Sequence, residues 1–129
     1  MAVTFPRIIV AALRGGAGKT FLSMGLIAAW RKRGFTVAPF KKGPDYIDAG
    51  WLAMAAGRPC YNLDTFLMEK PQVYRSFTDR AGNAQVAVIE GNRGLFDGMG
   101  LHGRHSTAEL AKFLSAPVIL LVDCSLVTR

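Results

Sequence analysis

The sequence predicts an α/β fold, a doubly wound and mainly parallel sheet with helices on both faces. Two observations carry this. Short apolar runs recur along the chain and alternate with segments of helical period, the pattern of strands joined by crossover helices. The first such run, Ile8-Ile9-Val10-Ala11-Ala12-Leu13, passes through Arg14-Gly15-Gly16-Ala17-Gly18-Lys19-Thr20 into a helical stretch. Strand, glycine-rich turn, Gly-Lys-Thr and helix make a phosphate-binding loop, so the sheet is of the P-loop nucleotide-hydrolase kind.

The first strand is expected from about Arg7 to Leu13 and the first helix from about Lys19 to Arg33. Leu22, Leu26, Ile27 and Trp30 recur at helical spacing and face the sheet. Arg31-Lys32-Arg33 suits the negative end of the helix dipole as a solvated terminus, and Gly34 suits the cap. Thr36 to Phe40 is the second strand. Lys41-Lys42-Gly43-Pro44-Asp45-Tyr46-Ile47-Asp48 follows as a loop, with Asp48 placed to cap a short helix over Trp51 to Ala56. Arg58 to Thr65 reads as loop. Glu69 to Arg80 reads as an amphipathic helix with Pro71 in its first turn and with Val73 and Phe77 inward. Ala84 to Ile89 is the third strand, ended by Glu90. Ser106-Thr107-Ala108-Glu109 is a capping box that opens a helix through about Leu114. Pro117 to Val122 is the fourth strand, closed by Asp123, and Ser125 onward reads as the start of another helix. Four strands ending there read as one incomplete domain, a truncated sheet.

The chain has 129 residues, half of them hydrophobic, enough for one core. No apolar run is long enough to span a bilayer, and Met1 to Pro6 carries no secretory pattern; a cytoplasmic protein without a membrane partner is expected. Cys60 and Cys124 are too few for a disulfide framework and lack metal-ligand spacing. The formal charge of +7 is spread along the chain with no aromatic-basic stripe. It fits a polyanionic small molecule better than nucleic acid.

The chemistry concentrates at strand ends. In the glycine loop the backbone N–H groups of Gly15, Gly16, Ala17 and Gly18 are expected to cradle phosphates, Lys19 to reach the outer phosphates of ATP, and the Thr20 hydroxyl to ligate Mg2+. The usual spacing G-x-x-x-x-G-K-[ST] is broken at its first glycine, where Leu13 stands. Lys41, Lys42, Asp45 and Asp48 follow a strand at the edge of an open α/β sheet where ligands bind. Glu90, at the end of a buried strand beside the phosphate loop, is the expected magnesium-associated acid. The loop from Gly91 to Gly100 is glycine-rich; Arg93 suits a carboxylate or phosphate, and Asp97 suits orienting a group or metal. His102 and His105 have no metal-ligand company and read as loop residues.

Gly15 to Thr20, Phe40-Lys41-Lys42-Gly43-Pro44-Asp45-Tyr46-Ile47-Asp48, Asn62-Leu63-Asp64 and Glu90-Gly91-Asn92-Arg93-Gly94-Leu95-Phe96-Asp97-Gly98 together resemble the cobyrinic acid a,c-diamide synthase family, whose fold is similar to dethiobiotin synthetase. The resemblance covers nearly the whole chain and makes residues 1–129 the N-terminal portion of a synthetase domain. It implies ATP-dependent amidation of peripheral carboxylates of a tetrapyrrole through an acyl phosphate, with ammonia from a glutaminase domain that this stretch does not contain. The fragment alone is then expected to be inactive. Under the resemblance Thr20, Asp48 and Glu90 form the metal environment, while Lys41, Asp45 and Asp97 position the substrate carboxylate or the intermediate beside Lys19. A corrinoid, nickel-sirohydrochlorin or a sirohaem precursor would each satisfy the same residues.

Arg14 to Thr20 also resembles the Lys-Gly-Gly-x-Gly-Lys-Thr loop of partition-type ATPases and nitrogenase iron proteins, which are dimeric nucleotide switches. Arg14 stands where their signature lysine would be. That reading implies a homodimer formed with ATP. A non-enzymatic nucleotide-binding fragment is the third reading.

Overall fold

The computed structural model describes residues 4–126, and strands and helices alternate along them. The order is β1 (Arg7–Ala12), α1 (Lys19–Lys32), β2 (Val37–Lys42), α2 (Tyr46–Ala56), β3 (Tyr61–Leu63), α3 (Lys70–Ala81), β4 (Val86–Glu90), α4 (Thr107–Leu114) and β5 (Val118–Leu121). The strands form one parallel sheet in the order β3-β2-β4-β1-β5. β2 is therefore not the neighbour of β1: β4 lies between them, with Ile9 opposite Ile89 on one side and Phe40 opposite Ile89 on the other.

Period-two alternation splits the strand side chains between two cores. Ile9, Ala11, Ala38, Phe40, Ala87 and Ile89 enter the core under α3 and α4, where they meet Val73, Phe77, Leu110 and Leu114. Val10, Val37 and Val88 enter the opposite core, where Ile27 of α1 and Leu52 of α2 cover them. Each fully buried Phe, Leu, Ile or Val contributes about 1.5–3 kcal/mol, so the two layers fix the register of the central strands. On α1, Ile27 is fully buried while Leu22, Leu26 and Trp30 are half-buried against the same core. On α3, Val73 and Phe77 are fully buried. Among the described residues no helix is long and apolar enough to cross a membrane.

The structure corrects several boundaries. The sheet has a strand where a loop is expected: Tyr61–Leu63 pairs with Phe40–Lys42 as β3. Three residues with a polar centre give no periodic signal, and backbone pairing to β2 supplies the order. α2 begins at Tyr46, well before Trp51, because Asp45 caps it and accepts from the Asp48 N–H at 2.9 Å. Asp45 is thus the cap and Asp48 lies in the first turn. Such a cap is worth about 1 kcal/mol. α3 starts at Lys70 with Glu69 as its cap, in a reciprocal box with Gln72. Arg31 does more than solvate a helix end. It donates to the Ala55 carbonyl at 2.8 Å and lies over Gly57, tying α1 to α2. Ser125 and Leu126 form a turn; the rest of the helix expected there lies outside the described residues.

Candidate nucleotide site

The site forms at the carboxyl ends of β1, β2 and β4. In β2, Ala38 and Phe40 point into the α3/α4 core, so Lys41 faces the opposite side, toward α1 and α2, and Lys42 turns back. In β4 the same alternation puts Glu90 on the side of Val88. Register then sets Lys41 directly across from Glu90, and Glu90 across from Val10, next to the phosphate loop.

The loop turns into α1 through Gly18, whose φ of 96° is left-handed and favours glycine. No side chain caps α1, so its first N–H groups face the cleft, as an anion site requires. Lys19 is buried and its Nζ lies 3.4 Å from the Arg14 carbonyl oxygen, folded back over the loop. The Thr20 hydroxyl donates to Glu90 Oε1 at 2.5 Å. Gly15, Gly16, Gly18, Lys19 and Thr20 form one wall of a cleft of about 400 Å3, and Lys41, Asp48, Glu90, Asn92 and Arg93 form the other.

Lys41, Asp48 and Glu90 already lie close to one another in this cleft. Lys41, almost fully buried, donates to the Gly91 carbonyl at 2.7 Å and sits 3.8 Å from both Asp48 Oδ2 and Glu90 Oε1. Burial pushes the Glu90 carboxyl above the ordinary carboxylate range; Lys41 and the Thr20 hydrogen bond offset part of this. Burial, followed by repulsion from Lys41, holds the Lys19 ammonium below the ordinary lysine range. Glu90 Oε2 is buried without a hydrogen-bond partner, an acceptor that a cation would satisfy. Thr20, Asp48 and Glu90 offer hard oxygen donors, the set that suits Mg2+ shared with phosphate oxygens. Among the described residues no three His, Cys, Asp or Glu side chains gather into a cage of their own.

The sequence-derived residues are not all in one place. Lys19, Thr20, Lys41, Asp48 and Glu90 converge. Ala17 occupies the loop between its lining glycines. Asp45 is engaged as the α2 cap. Asp97 is exposed and accepts from the Gly94 N–H at 2.8 Å. It lies in a second cleft together with Lys42, beside the first. Gly94 is fixed by close approach: a Cβ there would lie 2.4 Å from the Leu13 carbonyl oxygen. Asn62 donates to the Gly43 and Asp45 carbonyls at 2.6 and 3.0 Å, pinning the loop after β2. Sequence reasoning did not single out Asn92 or Phe21, both of which line the nucleotide cleft. It placed Lys41 in the site and gave Lys42 no separate role, although alternation within the strand puts Lys42 on the other face. Burial pushes the Cys60 thiol up to about 12, which disfavours the nucleophilic thiolate. His105 packs edge-on against Phe66.

Comparison with known proteins follows the same residues. Residues 8–58 match the family described as the CobQ/CobB/MinD/ParA nucleotide binding domain. All 129 residues are 54% identical to the cobyrinate a,c-diamide synthase of Magnetococcus marinus, and they cover 28% of that protein. A stretch of 124 residues, 95% of the chain, is 47% identical to the cobyrinate a,c-diamide synthase of Dehalococcoides mccartyi and covers 27% of it. A stretch of 125 residues, 96% of the chain, is 46% identical to the hydrogenobyrinate a,c-diamide synthase of Streptomyces coelicolor and covers 26% of it. The chain thus spans about a quarter of the length of these curated relatives. The crystal structure of the signal recognition particle 54 kDa protein from Aeropyrum pernix K1, in complex with GDP, aligns with 92% of this chain and 29% of its own at a TM-score of 0.56 and 19% identity. That likeness concerns the fold, the parallel α/β architecture that the sequence predicts.

Proposed function

We propose that this chain is the ATP-binding portion of a synthetase that amidates peripheral carboxylates of a tetrapyrrole of the cobyrinate or hydrogenobyrinate type. The observation that carries the reading is the cluster of buried Lys41 and Glu90 with half-buried Thr20 and Asp48, in the same cleft as Lys19. The cluster occurs in a chain similar over its whole length to synthases of that name.

A carboxylate is a poor electrophile, because its negative charge repels ammonia and oxide is a bad leaving group. Transfer of the terminal phosphoryl group of ATP to one carboxylate oxygen releases ADP and gives an acyl phosphate. Ammonia then attacks the carbonyl carbon, the C–O bond to phosphate breaks, and a proton leaves the nitrogen to give the amide. Lys19 balances charge on the phosphoryl oxygens as it moves. Thr20, Asp48 and Glu90 would hold Mg2+, which would supply Lewis-acid charge stabilisation there. Lys41 is anchored on the Gly91 carbonyl and sits 3.8 Å from Asp48 and Glu90, a fixed cation on the nucleotide side of the site. Ammonia comes from glutamine, hydrolysed by a separate domain of the longer protein. ATP and Mg2+ are thus the cofactors of this portion.

The dimeric ATPase switch is the second reading. It requires Arg14 to reach a partner's nucleotide, whereas the Arg14 guanidinium pairs with Asp123 of its own chain.

The test uses the protein at its natural length with ATP, Mg2+, glutamine and a panel of carboxylated tetrapyrroles. Mass spectrometry should show a loss of about one mass unit per amide as OH becomes NH2, and Glu90→Gln should abolish it. No amidation of any tetrapyrrole, combined with dimerisation driven by ATP, would sink the synthetase reading in favour of the switch.

A further inference from the structure

A second cleft adjoins the nucleotide cleft, and Asn92 and Arg93 line both. It measures about 440 Å3. Its cations differ from those next door. Lys42 is only 8% exposed, yet among the described residues its ammonium makes no hydrogen bond and no ion pair within 4 Å. Burial pulls it below the ordinary lysine range, and of the groups nearby only Asp64 opposes this; Lys41 and Arg93 push it further. Asp64 is itself occupied, since its Oδ1 accepts from the N–H groups of Phe66 and Leu67 at 2.9 and 3.3 Å. Arg93 is exposed, sits at a left-handed φ of 51°, and also has no anionic partner among the described residues. A buried cation without a partner is costly unless an anion arrives.

The rest of the wall is mixed: the carboxylates of Asp64 and Asp97 line it, Asp97 accepting from the Gly94 N–H, beside apolar side chains. Phe66, Leu67 and Met99 line this cleft and are 61%, 68% and 48% exposed. Phe66 and Leu67 also line a further hollow of about 610 Å3, so the apolar surface continues away from the nucleotide. A ligand that fits must carry a carboxylate at one end, toward the phosphates, and a broad apolar body at the other.

We propose that Lys42 and Arg93 form the anion-binding end of the substrate subsite, receiving the carboxylate-bearing edge of the tetrapyrrole, with Phe66, Leu67 and Met99 as the wall against which its ring lies. The inference rests on the amidation reading and deepens it. Alternation in β2 gives the two lysines separate tasks: Lys41 faces the nucleotide and Lys42 the acceptor. Arg93, common to both clefts, stands where the carboxylate oxygen meets the terminal phosphate.

The test is equilibrium binding of cobyrinate to the protein at its natural length, with ATP binding measured in parallel. Lys42→Met is expected to weaken cobyrinate binding about ten- to hundredfold while ATP affinity stays within about twofold and the melting temperature does not fall, since a buried unpaired cation is removed. Phe66→Asp, at an exposed position whose ring meets His105 edge-on, should weaken cobyrinate binding as well. Unchanged cobyrinate binding in both variants overturns the subsite, as does failure of the parent protein to bind cobyrinate with or without ATP. Loss of binding in the variants of a parent that amidates nothing leaves the subsite standing and removes the reaction. Amidation of cobyrinate by Lys42→Met with an unchanged KM leaves the reaction standing and removes the subsite.

Discussion

The two clefts that meet at Arg93 are built on opposite electrostatic plans. In the nucleotide cleft Lys41, Asp48, Glu90 and Thr20 engage one another before any ligand arrives, leaving Glu90 Oε2 as the open acceptor. In the neighbouring cleft Lys42, 8% exposed, forms no ion pair within 4 Å among the described residues, and Asp64 acts on it only from a distance. A site whose charges are internally balanced stays ordered when empty and can present a fixed geometry to a reacting phosphoryl group. A cation held without a close ion-pair partner is one that an incoming anion can engage, which favours binding over positioning. The difference teaches that two adjacent lysines of like chemistry acquire different work from the face of the strand alone.

The largest effect should come from emptying the first cleft of its ligand-facing cation. Lys19→Met is expected to lower ATP affinity about a hundredfold or more, read by titration with a fluorescent ATP analogue. Affinity within twofold of the parent would remove the phosphate assignment and with it the contrast between clefts.

The balance within the first cleft can be sharpened by pH. The Glu90 carboxyl titrates above the ordinary range because it is buried, so a proton competes with Mg2+ at less acidic pH than for an exposed glutamate. The gain in ATP affinity on adding Mg2+ should therefore fade as pH drops, starting above the usual range near pH 4.3. Glu90→Gln should lack that gain at every pH. A gain that persists unchanged in the Gln variant would take Glu90 out of the metal environment.

The hinge between the clefts is a matter of backbone contact. Gly94→Ala places a Cβ 2.4 Å from the Leu13 carbonyl and 2.8 Å from Asp97 Oδ2, and should cost about 1–3 kcal/mol by thermal or denaturant melting. Gly15→Ala meets no atom within 4 Å and serves as the control with little loss. Equal melting of the two variants would contradict the close approach of the loops.

The smallest effect is expected outside both clefts. Arg14→Ala breaks the pair with Asp123, but the arginine side chain is 62% exposed, so the loss should stay below about 1 kcal/mol. A larger loss in a urea melt would mean that this pair braces the phosphate loop.

The core of the fold and the phosphate site were legible because they rest on local signals. Runs such as Ile8 to Ala12 and Ala87 to Ile89 announce buried strands, and the Gly-Lys-Thr turn announces its helix. β3 was not legible: Tyr61-Asn62-Leu63 has no period, and its order comes from hydrogen bonds to β2 and from Asn62 gripping the loop after it. The start of α2 was misplaced because Pro44 and the exposed Tyr46 and Ile47 look like loop, while the Asp45 cap supplies the missing signal. The pairing of Thr20 with Glu90 joins residues far apart in the chain, and only the sheet order could bring them together.

That sheet order has a consequence for how the chain acquires its structure. β1 pairs only with β4 and β5, and β2 meets β1's sheet only through β4. As the chain leaves the ribosome, the phosphate loop emerges early, but Ile9 has no partner until Ile89 has been made. β1 must wait until β4 has been made, although β2 can pair with β3 earlier. Formation of β4 is then the event that closes the sheet. Folding should be slow for a domain of this size, and chaperone capture should fall on chains arrested before Val86.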